Sequence, residues 1–397
     1  MPKAAQTDEV ILRTHARIAD VDAAAWDACA NPNPAAYNPF VAHAFLKACE
    51  ESKSATPRAG WRPMHATLEE RGRVIAAAPL YLKSHSYGEY VFDQAWADAW
   101  ERAGGNYYPK LLCAAPFTPV PGPRLLVPPG RDRADVQGML LDALAQVTEE
   151  SKLSSLHINF LAEDEAKFAA ARGFLLRTDQ QFHWNNRGYG SFAEFLAELS
   201  SQKRKTLRRE RERVAEAGVT FEWITGSDLT ESHWDAFFEF YMDTGSRKWG
   251  SPYLTRAFFS MLGEAMPERV LLVFAKRAGR TIAGALNFIG GDTLYGRNWG
   301  AIEHLPFLHF EACYYQAIDF AIAKGLKRVE AGAQGQHKLA RGYEPVPTYS
   351  VHWIADPRFR RAVADYLTRE REAVAADIEA LGEHTPFRKG PRHSQED

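Results

Sequence analysis

Apolar positions along the chain fall into runs and stripes whose period identifies the elements. Runs of strand character lie at 10–18, 61–68 and 74–83, and again at 270–276, 281–289 and 293–300. Apolar positions three and four apart predict helices at 20–30, 41–52, 139–150 and 310–324. The last carries the stripe Phe310, Cys313, Tyr314, Ala317, Ile318 and Ala321, and Gly325 closes it as a C-cap. Further strands are expected at 156–160 and 327–333. The mixture is an α/β class of fold with a mixed sheet.

The pattern repeats. Gly72-Arg73-Val74-Ile75-Ala76-Ala77-Ala78 aligns without gaps on Gly279-Arg280-Thr281-Ile282-Ala283-Gly284-Ala285, each segment leaving a short hairpin loop. Tyr87-Gly88 and Tyr295-Gly296 follow. Further on, Ala171-Arg172-Gly173-Phe174 precedes His183-Trp184, and Ala340-Arg341-Gly342-Tyr343 precedes His352-Trp353, with ten residues from Gly to His in both. The offset between the copies is 207 residues at the hairpin and 169 at the end, so the first copy carries about 38 extra residues, placed at 93–130. That Pro- and aromatic-rich insert reads equally as a lid over a site or as a packed excursion. The join falls at 185–191, giving an N-terminal unit at 10–185 and a C-terminal unit at 186–380. A basic helical segment at 200–216 opens the second unit, and a tail at 383–397 is expected to be unstructured.

At 397 residues the chain exceeds the roughly 250–300 residues at which single cores stop growing, which agrees with two units. A net charge of -2 supplies no global field for DNA or a membrane surface, so any anion site is local. Cys29, Cys49, Cys113 and Cys313 form no Cys-x-x-Cys pair. Their dispersal fits a reducing cytoplasm, and no apolar run has the length of a signal peptide or of the ~18 residues of a membrane span. The G-x-S-x-G elbow, the phosphate-binding glycine patterns and H-E-x-x-H are absent, which removes the enzyme classes built on them.

The order strand, helix, hairpin, strand, helix, strand, short helix, Gly-aromatic, strand resembles the GNAT acyltransferase fold in tandem duplication. The segments HSYGEYVFD, YYPKL, QFHW, LYGRNWG, LHFEACYYQAIDFAI and EAGAQGQHKLARGY are similar to bacterial FemAB-like predicted N-acyltransferases, a peptidoglycan biosynthesis/recognition group. The resemblance runs from about residue 38 to 369. It implies transfer of an acyl or aminoacyl group to an amine, with acyl-CoA or aminoacyl-tRNA as co-substrate and no tightly bound cofactor. The rival reading is a non-catalytic module that recognises a cell-wall precursor or peptide in an inter-domain cleft.

Acyl transfer needs a polarised carbonyl, a deprotonated amine and a protonated leaving group. In the resemblance the donor lies where strands 293–300 and 327–333 part. Alternation places Tyr295, Arg297 and Trp299 on one strand face, where Arg297 is a candidate for a carboxylate or phosphate. Glu330 and His337 are the candidate general bases, with Gln334, Lys338 and Arg341 beside them. His304, His309 and Glu311 match no metal motif, and no metal is expected. The loop before the 310–324 helix lacks the glycine-rich phosphate turn usual in CoA-binding relatives, a departure that Fem-type, tRNA-dependent enzymes share. By the same resemblance Tyr241, Arg247 and Lys248 belong to a lid over the donor. The first half is expected to shape the acceptor site, with His85, Tyr87 and Glu89 on the corresponding strand. Lys203, Arg204, Lys205, Arg208, Arg209, Arg211 and Arg213, interrupted by Glu210 and Glu212, read equally as a solvated helix whose charges surround it or as a tRNA contact.

Overall fold

The computed structural model describes residues 9–248, 252–332 and 335–388, and the chain divides into two compact units. The first takes in the chain up to Asp179 together with Tyr253–Met266 and Thr348–Val374. The second comprises Gln180–Pro252, Pro267–Pro347 and the chain from Ala375 onward.

In the first unit, strands β1 (Val10–His15), β3 (His65–Glu70) and β4 (Arg73–Ala78) form a small antiparallel sheet. The hairpin continues beyond Pro63 and Pro79 as β2 (Trp61–Pro63) and β5 (Leu80–Lys83), which enter a second sheet with β6 (Lys110–Cys113) and β7 (Ser155–Leu161). β6 and β7 are parallel, joined through the helix Arg133–Glu150. That helix is capped by Asp132 and buries Val136, Leu140, Leu141 and Leu144 against Leu111, Leu156 and Ile158. Each such fully buried aliphatic side chain contributes about 1.5–3 kcal/mol.

The second unit repeats the plan with β9 (Val219–Thr225), β10 (Val270–Arg277), β11 (Arg280–Ile289), β12 (Thr293–Ala301) and β13 (Arg328–Glu330). β10 and β11 form the second hairpin. Both hairpin turns place two successive residues at positive φ, Arg71 at 51° and Gly72 at 73°, Ala278 at 50° and Gly279 at 75°, the backbone of a type I′ turn. The helical segment from Leu308 to Ala323 covers one face and is interrupted by a π turn, Glu311–Tyr315.

The two copies exchange their last strands. β8 (Leu175–Asn185), from the end of the first repeat, pairs antiparallel with β13 in the second unit, His183 opposite Glu330. β14 (Glu344–Ile354), from the end of the second repeat, pairs antiparallel with β7 in the first unit, His352 opposite His157. The compact units and the repeats are therefore different divisions of the chain.

The sheets correct the internal alignment of the repeat. β12 lies antiparallel to β11 and parallel to β13; its counterpart between β5 and β7 is β6, not residues 85–90. Tyr87 is 67% exposed in a loop and Gly88 has φ 79°, whereas Tyr295 is buried in a strand. The matching Tyr-Gly pairs occupy different places. Much of the insert is core: Leu111, Leu112 and Cys113 are fully buried, and the buried Arg124 guanidinium donates to the carbonyls of Asn159 and Val120 at 3.0 and 2.7 Å. The tail is partly ordered. After the helix Pro357–Gly382, Ser200 N–H donates to the Pro386 carbonyl and Arg388 N–H to that of Glu198, each at 2.9 Å, while residues 389–397 lie outside the described ones. No helix among the described residues is long and apolar enough to cross a membrane.

Candidate active site

The second unit's site is made by two irregularities of β12. It runs nine residues, but β13 pairs with only its first three, ending at Tyr295 opposite Glu330. Beyond that pair the parallel strands part. On the other edge the register against β11 shifts between Leu286 and Asn287: Asn287 faces Gly296 and Leu286 faces Asn298, so Arg297 is the extra residue of a bulge. A one-residue slip inverts side-chain direction. Tyr295 pairs with Phe288 and Trp299 with Ala285, so they lie on opposite faces, which corrects the expectation that Tyr295, Arg297 and Trp299 share one.

Beside the bulge is a small open cleft. Asn287, Gly296, Arg297 and Trp299 line it from the strands, and His309, Cys313 and Tyr314 line it from the helical segment. The π turn contributes Cys313 and Tyr314 to this wall, and such turns recur at functional sites. Tyr314 OH and His337 Nε2 are 2.8 Å apart. Lys338, 2% exposed, donates from Nζ to the Gly332 carbonyl at 2.8 Å. Burial brings its pKa down to about 7, and the Arg297 charge works in the same direction. Arg341 is committed elsewhere: Nη2 lies 2.9 Å from each carboxylate oxygen of Glu210, with the guanidinium 3.4 Å from the Phe310 ring centroid.

Glu330 points to the sheet face shared with Tyr295. Burial raises its carboxyl to about 7, against the opposing pull of Arg328 and Arg297. Its Oε1 lies 3.5 Å from Arg328 Nη1 and its Oε2 3.8 Å from His183 Nε2. Burial, then Arg328 and Lys338, lower His183 to about 3, which keeps the ring neutral.

Arg297, Trp299, His337, Lys338 and Glu330 thus gather around the place where the strands part. Gln334 lies outside the described residues, as do the side chains of Arg247 and Lys248. Tyr241 is not a lid: it is 7% exposed and stacks on Phe237 along the helix Glu231–Lys248. His309 packs edge-on against Trp299 and Tyr314, and Glu311 accepts from Arg211 and Gln316; among the described residues no cluster suited to a metal is found. His183 was visible in the sequence only as a repeat anchor.

The equivalent place in the first unit is closed. Lys110 Nζ donates to Ser86 Oγ and Glu89 Oε2 at 2.8 Å each, and to Asp93. Lys83 Nζ reaches the Tyr87 carbonyl at 3.2 Å over the Trp61 ring. Burial pushes Glu89 up to about 7 and Lys83 down to about 7. Burial opposes the Asp93 carboxylate too, but Lys110 and His157 outweigh it and hold Asp93 below the usual range. Of the three acceptor candidates, only Glu89 brings its side chain into this centre. Tyr87 is exposed, and His85 accepts from Tyr87 N–H in a local turn.

The basic segment is the helix Ser201–Glu216, and its charges are sorted rather than wrapped around it. Leu207, Glu210 and Val214 are buried, and Arg211 turns inward to Glu311 and Asp319 at 2.9 and 2.7 Å. Arg204, Lys205, Arg208, Arg209 and Arg213 line the opposite, solvent side with Glu212 and Glu216.

The paired strand–helix–strand units, the exchange of last strands and the parted strands with their bulge define the class: a tandem GNAT-like acyltransferase fold. The chain matches the FemAB-like family, described as peptidoglycan biosynthesis/recognition, over residues 17–389 and belongs to it. Among solved structures it is similar to FemX, at TM-score 0.54 and 13% identity over 87% of this chain and 98% of that one. It is also similar to a conserved protein of unknown function from Bacteroides thetaiotaomicron VPI-5482 (TM-score 0.51, 12% identity, 86% and 99% covered). A third is L-PGS from Bacillus licheniformis (TM-score 0.50, 9% identity, 84% and 98% covered). No curated protein matches the chain.

Proposed function

We propose that the protein is an N-acyltransferase that moves an acyl or aminoacyl group from an activated donor to an amine by direct attack. The observation that carries this reading is the parting of β12 from β13. It opens the sheet between a polar cleft on one face and a buried carboxyl on the other. A thioester or aminoacyl ester in the cleft presents its carbonyl carbon to the gap, with Arg297 as the nearby positive charge. The amine nitrogen bonds to that carbon as the C–S or C–O bond to the carrier breaks. The amine's proton passes to Glu330, and the departing sulfur or oxygen takes one from Tyr314, whose hydroxyl is paired with His337.

Of the two donors, acyl-CoA and aminoacyl-tRNA, the second is favoured by the five cations gathered on the solvent side of Ser201–Glu216. Titrating the full chain separately with acetyl-CoA and with aminoacylated bulk tRNA tests the reading. Saturable, salt-dependent binding of the tRNA is expected. A folded chain that binds neither donor sinks it.

A further inference from the structure

We propose that Glu330 Oε2 and His183 Nε2 form the seat of the acceptor's primary amine, which makes His183, from the last strand of the first repeat, part of the second unit's site. The inference rests on the acyl-transfer reading and deepens it.

The β8–β13 register sets the two residues opposite one another. Glu330 is 4% exposed and His183 6%. The two atoms face each other at 3.8 Å, too far for a hydrogen bond, and among the described residues neither has a hydrogen-bond partner. An unpaired buried polar atom costs about 1–3 kcal/mol, so two of them side by side mark the place of a missing partner. Arg328 engages the other carboxylate oxygen, Oε1, and leaves Oε2 turned to His183.

One nitrogen fits. Placed about 2.8 Å from both atoms, it sees them at an angle of roughly 85°, within reach of two N–H bonds of one nitrogen. A primary ammonium carries only donors and serves both acceptors, the carboxylate and the neutral imidazole nitrogen. A hydroxyl has a single proton and satisfies one. Transfer of one N–H proton to Oε2 frees the lone pair at the last paired position before the strands part, and the second proton, shed once the nitrogen has bonded to the acyl carbon, passes through Tyr314 to the departing sulfur or oxygen. Gly296 stands beside that position without a side chain, its notional Cβ 3.5 Å from the Glu330 carbonyl oxygen. The first unit gives the contrast. There the equivalent pair is His157 and His352, their Nδ1 atoms 2.8 Å apart, and a direct hydrogen bond fills the place that the second unit leaves open.

The test uses the full chain labelled with ¹⁵N-histidine, titrated with ethylamine hydrochloride and, separately, with ethanol. The His183 imidazole signal, assigned by its loss in His183→Gln, is the readout. Ethylamine is expected to shift it saturably and ethanol to leave it unmoved. In Glu330→Gln the response weakens at least about tenfold, the loss of one charge-assisted hydrogen bond. The Glu330 carboxyl, followed by ¹³C labelling, loses its ethylamine response in His183→Phe and keeps it in His183→Gln. No saturable shift with ethylamine in the parent chain, or an equal response to ethanol, overturns the proposal even if His183→Phe fails to fold. Acetyl-CoA and tRNA binding are measured on the same samples. Donor binding without an amine response overturns the seat and leaves the acyl-transfer reading standing. An amine response without donor binding supports the seat and overturns that reading.

Discussion

Arg341 Nη2 donates to both carboxylate oxygens of Glu210, 131 residues earlier in the chain, and the two side chains are 7% and 9% exposed. The Tyr315 hydroxyl donates to the same carboxylate, and Arg341 Nη1 donates to the His337 carbonyl at 2.7 Å. The basic helix Ser201–Glu216 thereby fixes the short helix Gln336–Arg341 that carries His337 and Lys338. Arg341, a candidate donor ligand in the sequence, spends its charge holding the site together.

Glu210→Ala strands the Arg341 guanidinium in a buried place. Breaking such a pair from one side costs about 3–5 kcal/mol, whereas removing both charges with an apolar replacement is far milder. Urea denaturation of the full chain is expected to show that loss for Glu210→Ala and a substantial recovery for Glu210→Ala with Arg341→Met. A loss below about 1 kcal/mol in the single variant refutes the clamp.

Glu330 gives a pH dependence with a definite sign. Burial raises its carboxyl from the ordinary 4.5 to about 7 in the folded chain, so the folded state holds the proton more tightly. This group's contribution is fully present below 4.5, falls as pH rises through the interval, and is lost above about 7. Glu330→Gln removes that fall. The variant is expected to exceed the parent in stability by about 2–3 kcal/mol at pH 8 and to match it near pH 4. Lys338 runs the other way: its folded value of about 7 lies below 10.5, so stability rises with pH across that interval, and Lys338→Met flattens the rise. Melting temperature against pH, read as variant minus parent, checks both. Acyl transfer itself is expected to rise through pH 7 as the carboxylate forms.

Local patterns carried most of the scaffold. The hairpin turns, the helix stripe ending at Gly325 and the Gly-to-His spacing of the two copies each have a short-range cause, and the sheets contain them. What the pattern missed depends on partners far away in sequence. Alternation cannot see that Arg297 is an extra residue, because the slip is defined by β11. The inward turn of Glu210 and Arg211 is set by Arg341, Glu311 and Asp319. Lys110 begins a buried strand inside a Pro-rich stretch, and its charge is tolerable there only because Glu89 and Asp93 meet it. His183 did leave a signal, its recurrence as His352, but only the exchange of strands shows that it faces Glu330.

Two glycines of β12 separate packing from binding. A Cβ on Gly300 would lie 2.0 Å from the Phe240 carbonyl oxygen, so Gly300→Ala forces the helix Glu231–Lys248 off the strand and is expected to cost about 1–3 kcal/mol or more. At Gly296 the nearest atoms, Asn287 Oδ1 and the Glu330 carbonyl oxygen, stand at 3.4 and 3.5 Å, ordinary contacts. Gly296→Ala is expected to leave stability within about 1 kcal/mol, yet on the proposed acyl-transfer reading it puts a methyl group in the path of the donor's acyl carbon. Weaker donor binding with an unchanged melting temperature is the expected result, and equal stability losses at the two positions contradict it.

The basic face makes a separable prediction about the donor. Arg208 and Arg209 lie on the solvent side of Ser201–Glu216, while the buried anchors Leu207, Glu210 and Val214 lie on the other. Neither arginine forms a described ion pair, so Arg208→Glu with Arg209→Glu is expected to change stability by no more than about 1 kcal/mol. If these cations meet tRNA phosphates, each contact adds to the slope of log affinity against log salt. Reversing both lowers affinity at least about tenfold and flattens the slope by roughly two. Acetyl-CoA binding, measured in parallel, is expected not to move, because the cleft at Arg297 and Trp299 draws nothing from this face. A salt slope unchanged by the double reversal assigns the cations to solvation alone. The donor would then have to be recognised entirely by the cleft.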